Sequence, residues 1–256
     1  MIANYHTHTV RCHHAVGSET DYIENAIRNG MKILGFADHT PYDTPKPRPF
    51  RMAPEELPEY AATLRALGEQ YQDQIDILIG VEVEYYPTLF PAHLELLRDN
   101  GVQYMILGQH FVRDEQTGIP SFRRTEDPEA LRQYYENVLA AAKTGRFLYI
   151  AHPDVFHFVG DETAYNELTA DFLAQMKPLG IPLELNRLGF ADGRHYPRRA
   201  FWEKCGEMGI PAVIGLDAHD PAVFQDEESV DRLIAFGREC GVRILPELEL
   251  PDGYTE

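Results

Sequence analysis

Seven short apolar runs recur along the chain, and each ends on histidine or another residue with lone pairs to offer. In order, the ends are His6 and His8 in NYHTHT, His39 in GFADHTP, Glu82 in GVEVEY, His110 in LGQHF, His152 in IAHPD, Asn186-Arg187 in ELNRLGF, and Asp217 with His219 in GLDAHDP. The runs predict strands at Ile2–His6, Ile33–Ala37, Ile75–Val81, Tyr104–Leu107, Phe147–Ala151, Ile181–Leu185 and Pro211–Leu216, with a weaker one at Val242–Leu245. Between them, apolar residues three and four apart mark amphipathic helices. Tyr22, Ile23, Ala26 and Ile27 form one stripe. Leu57, Tyr60, Ala61, Leu64, Leu67 and Tyr71 form another, opened by Pro54 and two glutamates. Gly30, Gly145 and Gly209 close helices before the next run.

Strand–helix alternation of this regularity calls for parallel strands with crossover helices. An open doubly wound sheet gathers its site at one switch point, usually with a glycine-rich phosphate loop. Here the candidate ligands come from nearly every run and no such loop exists. The pattern therefore predicts one domain over 1–256, a closed α/β barrel of about seven strands whose strand-end side chains point into the mouth. Long loops over Tyr42–Pro54 and Arg113–Pro128 are placed to overhang that mouth.

The formal charge of −18 argues against polymeric nucleic acid and anionic membranes as partners. A small anionic substrate then needs local arginines and metal to overcome the field. Cys12, Cys205 and Cys240 are an odd set with no repeated spacing, which argues for a reducing, cytoplasmic setting. Cys12 reads as a bystander beside His8, His13 and His14. Neither a signal peptide nor a transmembrane run is recognisable, and a motif that starts at His6 leaves no room for a removable leader. A homo-oligomer stays open.

His6 and His8, two apart at a strand end, face the same side and can chelate one ion. Asp217 and His219 repeat that spacing. Glu82 supplies a bridging carboxylate, while Glu84 reads as a hydrogen-bonding partner behind the site. At least one of His13 and His14 should reach the site, and spacing alone does not choose between them. Asp38 is placed to orient a ligand, and His93 reads as a surface histidine. His195, beside Arg194 in a mouth loop, is a candidate substrate contact. So many imidazoles converging on carboxylates would repel one another as cations unless divalent metal bound them. One of those two histidines with His6, His8, His39, Glu82, His110, His152, Asp217 and His219 suits three ions if Glu82 bridges two. A nitrogen-rich set favours zinc, manganese or iron, and clustered metals suit hydrolysis.

His6-Thr7-His8, Asp38-His39, Gly80-Val81-Glu82, His110, His152-Pro153 and Gly215-Leu216-Asp217-Ala218-His219 stand in the order and approximate spacing of the polymerase and histidinol phosphatase (PHP) family, which the chain resembles over essentially its whole length. The resemblance implies a distorted (β/α)7 TIM-like barrel with three metals. It puts His6, His8, Glu82 and Asp217 on the first, Glu82, His110 and His152 on the second, and His14, His39 and His219 on the third. Within the family the chain resembles the histidinol-phosphatase branch, through HTHT, FADHTP, Phe50-Arg51-Met52 before PEEL, and Glu184-Leu185-Asn186 ahead of a glycine. That branch commonly places a phosphate-binding arginine after the glycine, whereas Arg187 here precedes Gly189. LGQHF likewise stands where a serine-containing run is more usual.

The function this implies is a metal-dependent phosphomonoesterase cleaving L-histidinol phosphate to L-histidinol and phosphate in histidine biosynthesis, with a metal-bridging hydroxide as nucleophile. Arg187, then Arg51, then Arg194 are the expected phosphate clamps. Asp217 or His219 is the expected proton donor to the leaving alkoxide. The rivals are a phosphoesterase for another small phosphate ester or nucleotide, and an amidohydrolase-like C–N hydrolase, in which the His14, His39 and His219 set would be superfluous.

Overall fold

The computed structural model describes residues 1–44 and 49–250. Part of the expected Tyr42–Pro54 loop and the end of the chain lie outside the described residues. Among the described residues six strands are formed, β1 Ala3–Asn4, β2 Ile33–His39, β3 Asp76–Val83, β4 Tyr104–Leu107, β5 Leu183–Asn186 and β6 Ala212–Gly215. All pair in parallel, as one sheet in the order β1-β2-β3-β4 and a second of β5-β6.

The two sheets are joined on both sides, and the joins explain where the expected strands shorten. Ile150 bridges Leu107 on one side and Leu183 on the other, so the Phe147–Ala151 run fills the gap without forming a ladder of its own. Its backbone is shared between neighbours, with Leu148 N donating to Met105 O at 2.8 Å and Glu184 N to Ile150 O at 2.9 Å. Thr7 and Ala218 bridge the opposite seam. There β1 stops after two residues because a side chain stands in for backbone: Leu216 N donates to Asn4 Oδ1 at 2.9 Å. The result is a distorted (β/α) barrel. The weak Val242–Leu245 run contributes one bridge, from Ile244 to Ala212.

Eight α-helices accompany the strands: α1 Glu19–Arg28, α2 Leu57–Tyr71, α3 Phe90–Asp99, α4 Pro128–Ala142, α5 Glu162–Met176, α6 Arg187–Ala191, α7 Arg199–Met208 and α8 Glu227–Glu239. The apolar stripe of α2 is buried as its spacing predicts, with Leu67 half-buried, and the Pro54–Glu56 start is a 3-10 turn. Ser18 and Asp21 close a capping box at α1. Inside the barrel Tyr104 lies across the floor, where its hydroxyl donates to the carbonyls of Tyr5 and Phe36 at 2.9 and 3.0 Å. Gly80 is required beneath it, since a Cβ there would sit 2.2 Å from the Tyr104 ring. This plug closes the core below and leaves the carboxyl ends of the strands to form the site.

Candidate metal centre

The strand ends converge on Glu82, the seventh residue of β3, which is 1% exposed. Its Oε1 lies 2.9 Å from His152 Nε2, 3.5 Å from His110 Nε2 and 3.7 Å from His6 Nε2. Its Oε2 lies 2.9 Å from His39 Nδ1 and 3.7 Å from His8 Nε2. Asp217 Oδ1 stands 3.2 Å from His8 Nε2 and 3.5 Å from His6 Nε2, and those two nitrogens are 3.1 Å apart. Tetrahedral ligands at zinc-like bond lengths are separated by about 3.3 Å from one another. The spacing among His6, His8 and Asp217 fits ligands of one ion.

On the other side, the His8 and His219 rings stack at 4.0 Å, His14 lies 4.6 Å from His219, and His39 lies 5.5 Å from His14. The ligand atoms of His8, His39 and His219 fall within 4.8 Å of one another, as do those of Cys12, His14 and His219. His39 Nδ1 and Glu82 Oε2, close but not aligned for a hydrogen bond, and His219 Nε2 are buried without a hydrogen-bond partner. Orphaned buried lone pairs are costly, and a divalent cation would satisfy all three. The donor set fits divalent metal.

The electrostatics call for positive charge. Burial pushes the Glu82 carboxyl up, but the imidazoles of His110, His39 and His6 outweigh it and hold Glu82 well below the carboxylate range. Burial pushes His6 down, yet Glu184, Asp217 and Glu82 together raise it to about 10. Burial holds His39 at about 4. His152 and Asp217 are themselves held in left-handed backbone conformations, with φ of 28° and 51°, a strain that non-glycine residues carry mainly at functional sites.

A layer of partners fixes these rings from behind. Asp38 takes the backbone N–H groups of Thr9 and His39 and stands 3.4 Å from His8 Nδ1, the orienting role foreseen for it. Glu84 accepts from His110 Nδ1 at 3.0 Å. Glu184 accepts from His6 Nδ1 at 2.7 Å, His152 N at 2.9 Å and Asn186 Nδ2 at 2.9 Å. Sequence reasoning did not place Glu184 in the site, although a glutamate inside an otherwise apolar run was the available signal. Tyr196, which leans on His152 with ring centroids 6.1 Å apart, was also missed.

Above the ligands opens a cavity of about 740 Å³. His14, His39, Glu82, His110, His152, Asp217 and His219 line its floor, and Phe50, Phe111, Phe122, Val155 and Leu188 contribute apolar wall. His6 and His8 lie beneath, fully buried. His14 lines the cavity, while His13 is exposed with φ of 64° at the end of a 3-10 turn and does not. Cys12 is buried against this group and is no remote bystander.

Of the three arginines expected at the site, the structure puts Arg194 on the cavity wall and the other two elsewhere. Arg187 is the first residue of α6, whose direction turns its guanidinium to Ser229 and Asp226. Arg51 is 3% exposed and is held by Glu84, Glu115 and the Thr40 carbonyl. Neither lines the cavity. Arg194 does, together with His157, His195 and Tyr196, and its guanidinium reaches the Tyr196 hydroxyl at 3.2 Å. His93 also departs from expectation. It is 5% exposed, bonded to Thr40 Oγ1 at 2.6 Å and packed on Tyr42, because α3 turns it inward.

The PHP domain model matches residues 4–188, and the chain belongs to that family. It is 28% identical over 229 residues to a probable histidinol-phosphatase of Deinococcus radiodurans, covering 86% of this chain and 87% of that one. It is 29% identical over 247 residues to the histidinol-phosphatase of Bacillus subtilis, covering 84% and 92%. Its fold matches that of histidinol phosphate phosphatase from Lactococcus lactis, solved with zinc, L-histidinol and phosphate, at a TM-score of 0.74 and 19% identity over 95% of both chains. Among the described residues no helix is long and apolar enough to cross a membrane.

Proposed function

We propose that the protein is a metal-dependent phosphomonoesterase that hydrolyses L-histidinol phosphate to L-histidinol and phosphate. The observation that carries this reading is Glu82, buried among five imidazoles whose nitrogens lie within 3.7 Å of its oxygens. A carboxylate so placed would bridge two ions. Three would be held, one by His6, His8, Glu82 and Asp217, a second by Glu82, His110 and His152, and a third by His14, His39 and His219. When bound, such ions acidify water and neutralise charge on phosphoryl oxygens.

The chain's own groups do the rest. Arg194 lies on the cavity wall, paired with Asp192 at 2.7 Å and beside the Tyr196 hydroxyl, and would meet a phosphate oxygen by turning from that half-exposed carboxylate. Asp217 and His219 line the same floor, and either would relay a proton from a bound water to the departing alkoxide. The apolar wall of Phe50, Phe111 and Phe122 excludes water around the organic group. Names and coverage of the relatives support the substrate. The gathering of His39 and His219 beside His8, with His14 next to His219, weighs against a C–N hydrolase that uses fewer ions.

The test is steady-state phosphate release by zinc- and manganese-loaded protein from L-histidinol phosphate, other monoesters and a diester. A kcat/KM for L-histidinol phosphate far above the rest is expected. Flat, feeble turnover of every monoester would refute the substrate, and preference for the diester would refute the reaction class.

A further inference from the structure

The cavity wall away from the ligands carries two imidazoles for which metal binding has no use. His157 and His195 stack face to face, with ring centroids 3.9 Å apart and planes 4° from parallel. Both line the cavity, next to Val155 and to Phe122, a phenylalanine left 62% exposed. Their positions are built, because His157 N donates to Ser121 O at 2.7 Å and His195 Nε2 lies 2.7 Å from Val155 O. A carbonyl only accepts, so Nε2 of His195 carries the proton and Nδ1 remains as the neutral ring's one acceptor. Plain packing would be served better by phenylalanine or leucine. Two half-buried imidazoles instead offer a flat π-face and a nitrogen lone pair together.

The pair also lies at a useful distance from the phosphate end. Arg194 and His195 are consecutive but serve different neighbours, the former bonding to the Tyr196 hydroxyl and the latter to Val155. The Tyr196 ring stands 6.1 Å from that of His152 and 5.2 Å from that of His195. One tyrosine therefore spans from a metal-ligand histidine to the imidazole pair, about the length of a small amino-alcohol phosphate. We propose that the His157–His195 stack seats a planar, N–H-bearing heterocycle on the leaving alcohol and so sets the preference for that alcohol. Resting on the function proposed above, this heterocycle is the imidazole of histidinol, set against the edge of the pair and donating its N–H to His195 Nδ1.

The test compares L-histidinol phosphate with L-leucinol phosphate, which keeps the amino alcohol and lacks the ring. In His195→Ala and His157→Ala, the ratio of kcat/KM values between the two substrates should fall about tenfold, mostly through KM, as expected for one lost aromatic contact and hydrogen bond. Equal losses on both substrates in a variant with wild-type metal content would overturn the assignment, as would an unchanged ratio. A measurement that needs no variant is calorimetric binding of the free alcohols to the metal-loaded wild type. L-Histidinol should bind at least about tenfold tighter than L-leucinol, and equal affinity would overturn the proposal. Tight, selective L-histidinol binding without phosphate release from any monoester would uphold the seat and refute the phosphatase reading instead.

Discussion

Replacing Glu184 by glutamine isolates what the layer behind the ligands does. The change preserves shape, and the hydrogen-bond inventory shows why it is not silent. Glu184 Oε1 accepts from His6 Nδ1 at 2.7 Å, while Oε2 accepts from both His152 N and Asn186 Nδ2 at 2.9 Å. If the glutamine oxygen faces His6, its NH2 points at two donors, and two buried N–H groups lose their acceptor. If it is flipped, the NH2 faces His6 Nδ1, which must then give up its proton. The proton moves to Nε2, the nitrogen that meets His8, Asp217 and Glu82. The first arrangement costs about 2–6 kcal/mol at about 1–3 per orphaned group. The second removes a ligand. Either way, zinc affinity measured by chelator competition should drop about 10–100-fold, the usual effect of losing a ligand's supporting partner. The melting temperature should fall as well. Wild-type affinity and melting in Glu184→Gln would refute the role given to this carboxylate.

Gly108→Ala would put a Cβ 1.8 Å from Glu82 Oε1, so at least about a tenfold loss of turnover with reduced metal content is expected; retained activity by elemental analysis and kinetics would contradict the position of Glu82. The arginines should separate cleanly. Arg51→Ala leaves Glu84 and Glu115 buried without their cation and should cost about 3–5 kcal/mol in denaturant melts. Arg194→Ala should leave stability within about 0.5 kcal/mol while lowering kcat/KM, and the opposite pattern would reverse the assignment. Burial raises Asp154 to about 6, so this group's contribution to native-state stability falls as pH climbs from about 4 to about 6 and then levels off. Asp154→Asn retains an acceptor for Arg198 N and Trp202 Nε1 without the charge. It should be more stable than wild type by about 1–3 kcal/mol at pH 8 and equal near pH 4; a less stable variant at pH 8 would count against the burial argument.

Residues whose role is set by strand periodicity could be read directly. An apolar run ending on a histidine or carboxylate points to the side chain's place at the mouth, and His6, His39, Glu82, His110 and His152 do converge there, although of these five only His39 and Glu82 lie within strands. Where the chain leaves the strand, direction becomes a tertiary matter. Arg187 follows Asn186 by one residue, yet Asn186 caps α6 through Gly189 N and the helix carries the guanidinium away. His13 and His14 were indistinguishable until a left-handed turn at His13 put one ring outside and the other in the cavity. Phe147–Ala151 had the composition of a strand, but the seam it fills gives it a single bridged position. His93 looked external because its helix is flanked by charge, and only the packing of α3 on Tyr42 turns it inward.

If the barrel mouth holds a metal cluster that cleaves a phosphomonoester, turnover must depend on the ions. The most direct test strips the protein with chelator, then follows phosphate release from L-histidinol phosphate as zinc or manganese is returned ion by ion. Activity should be absent in the stripped protein and climb to a plateau at three ions per chain. Undiminished turnover without metal would contradict the account at its centre.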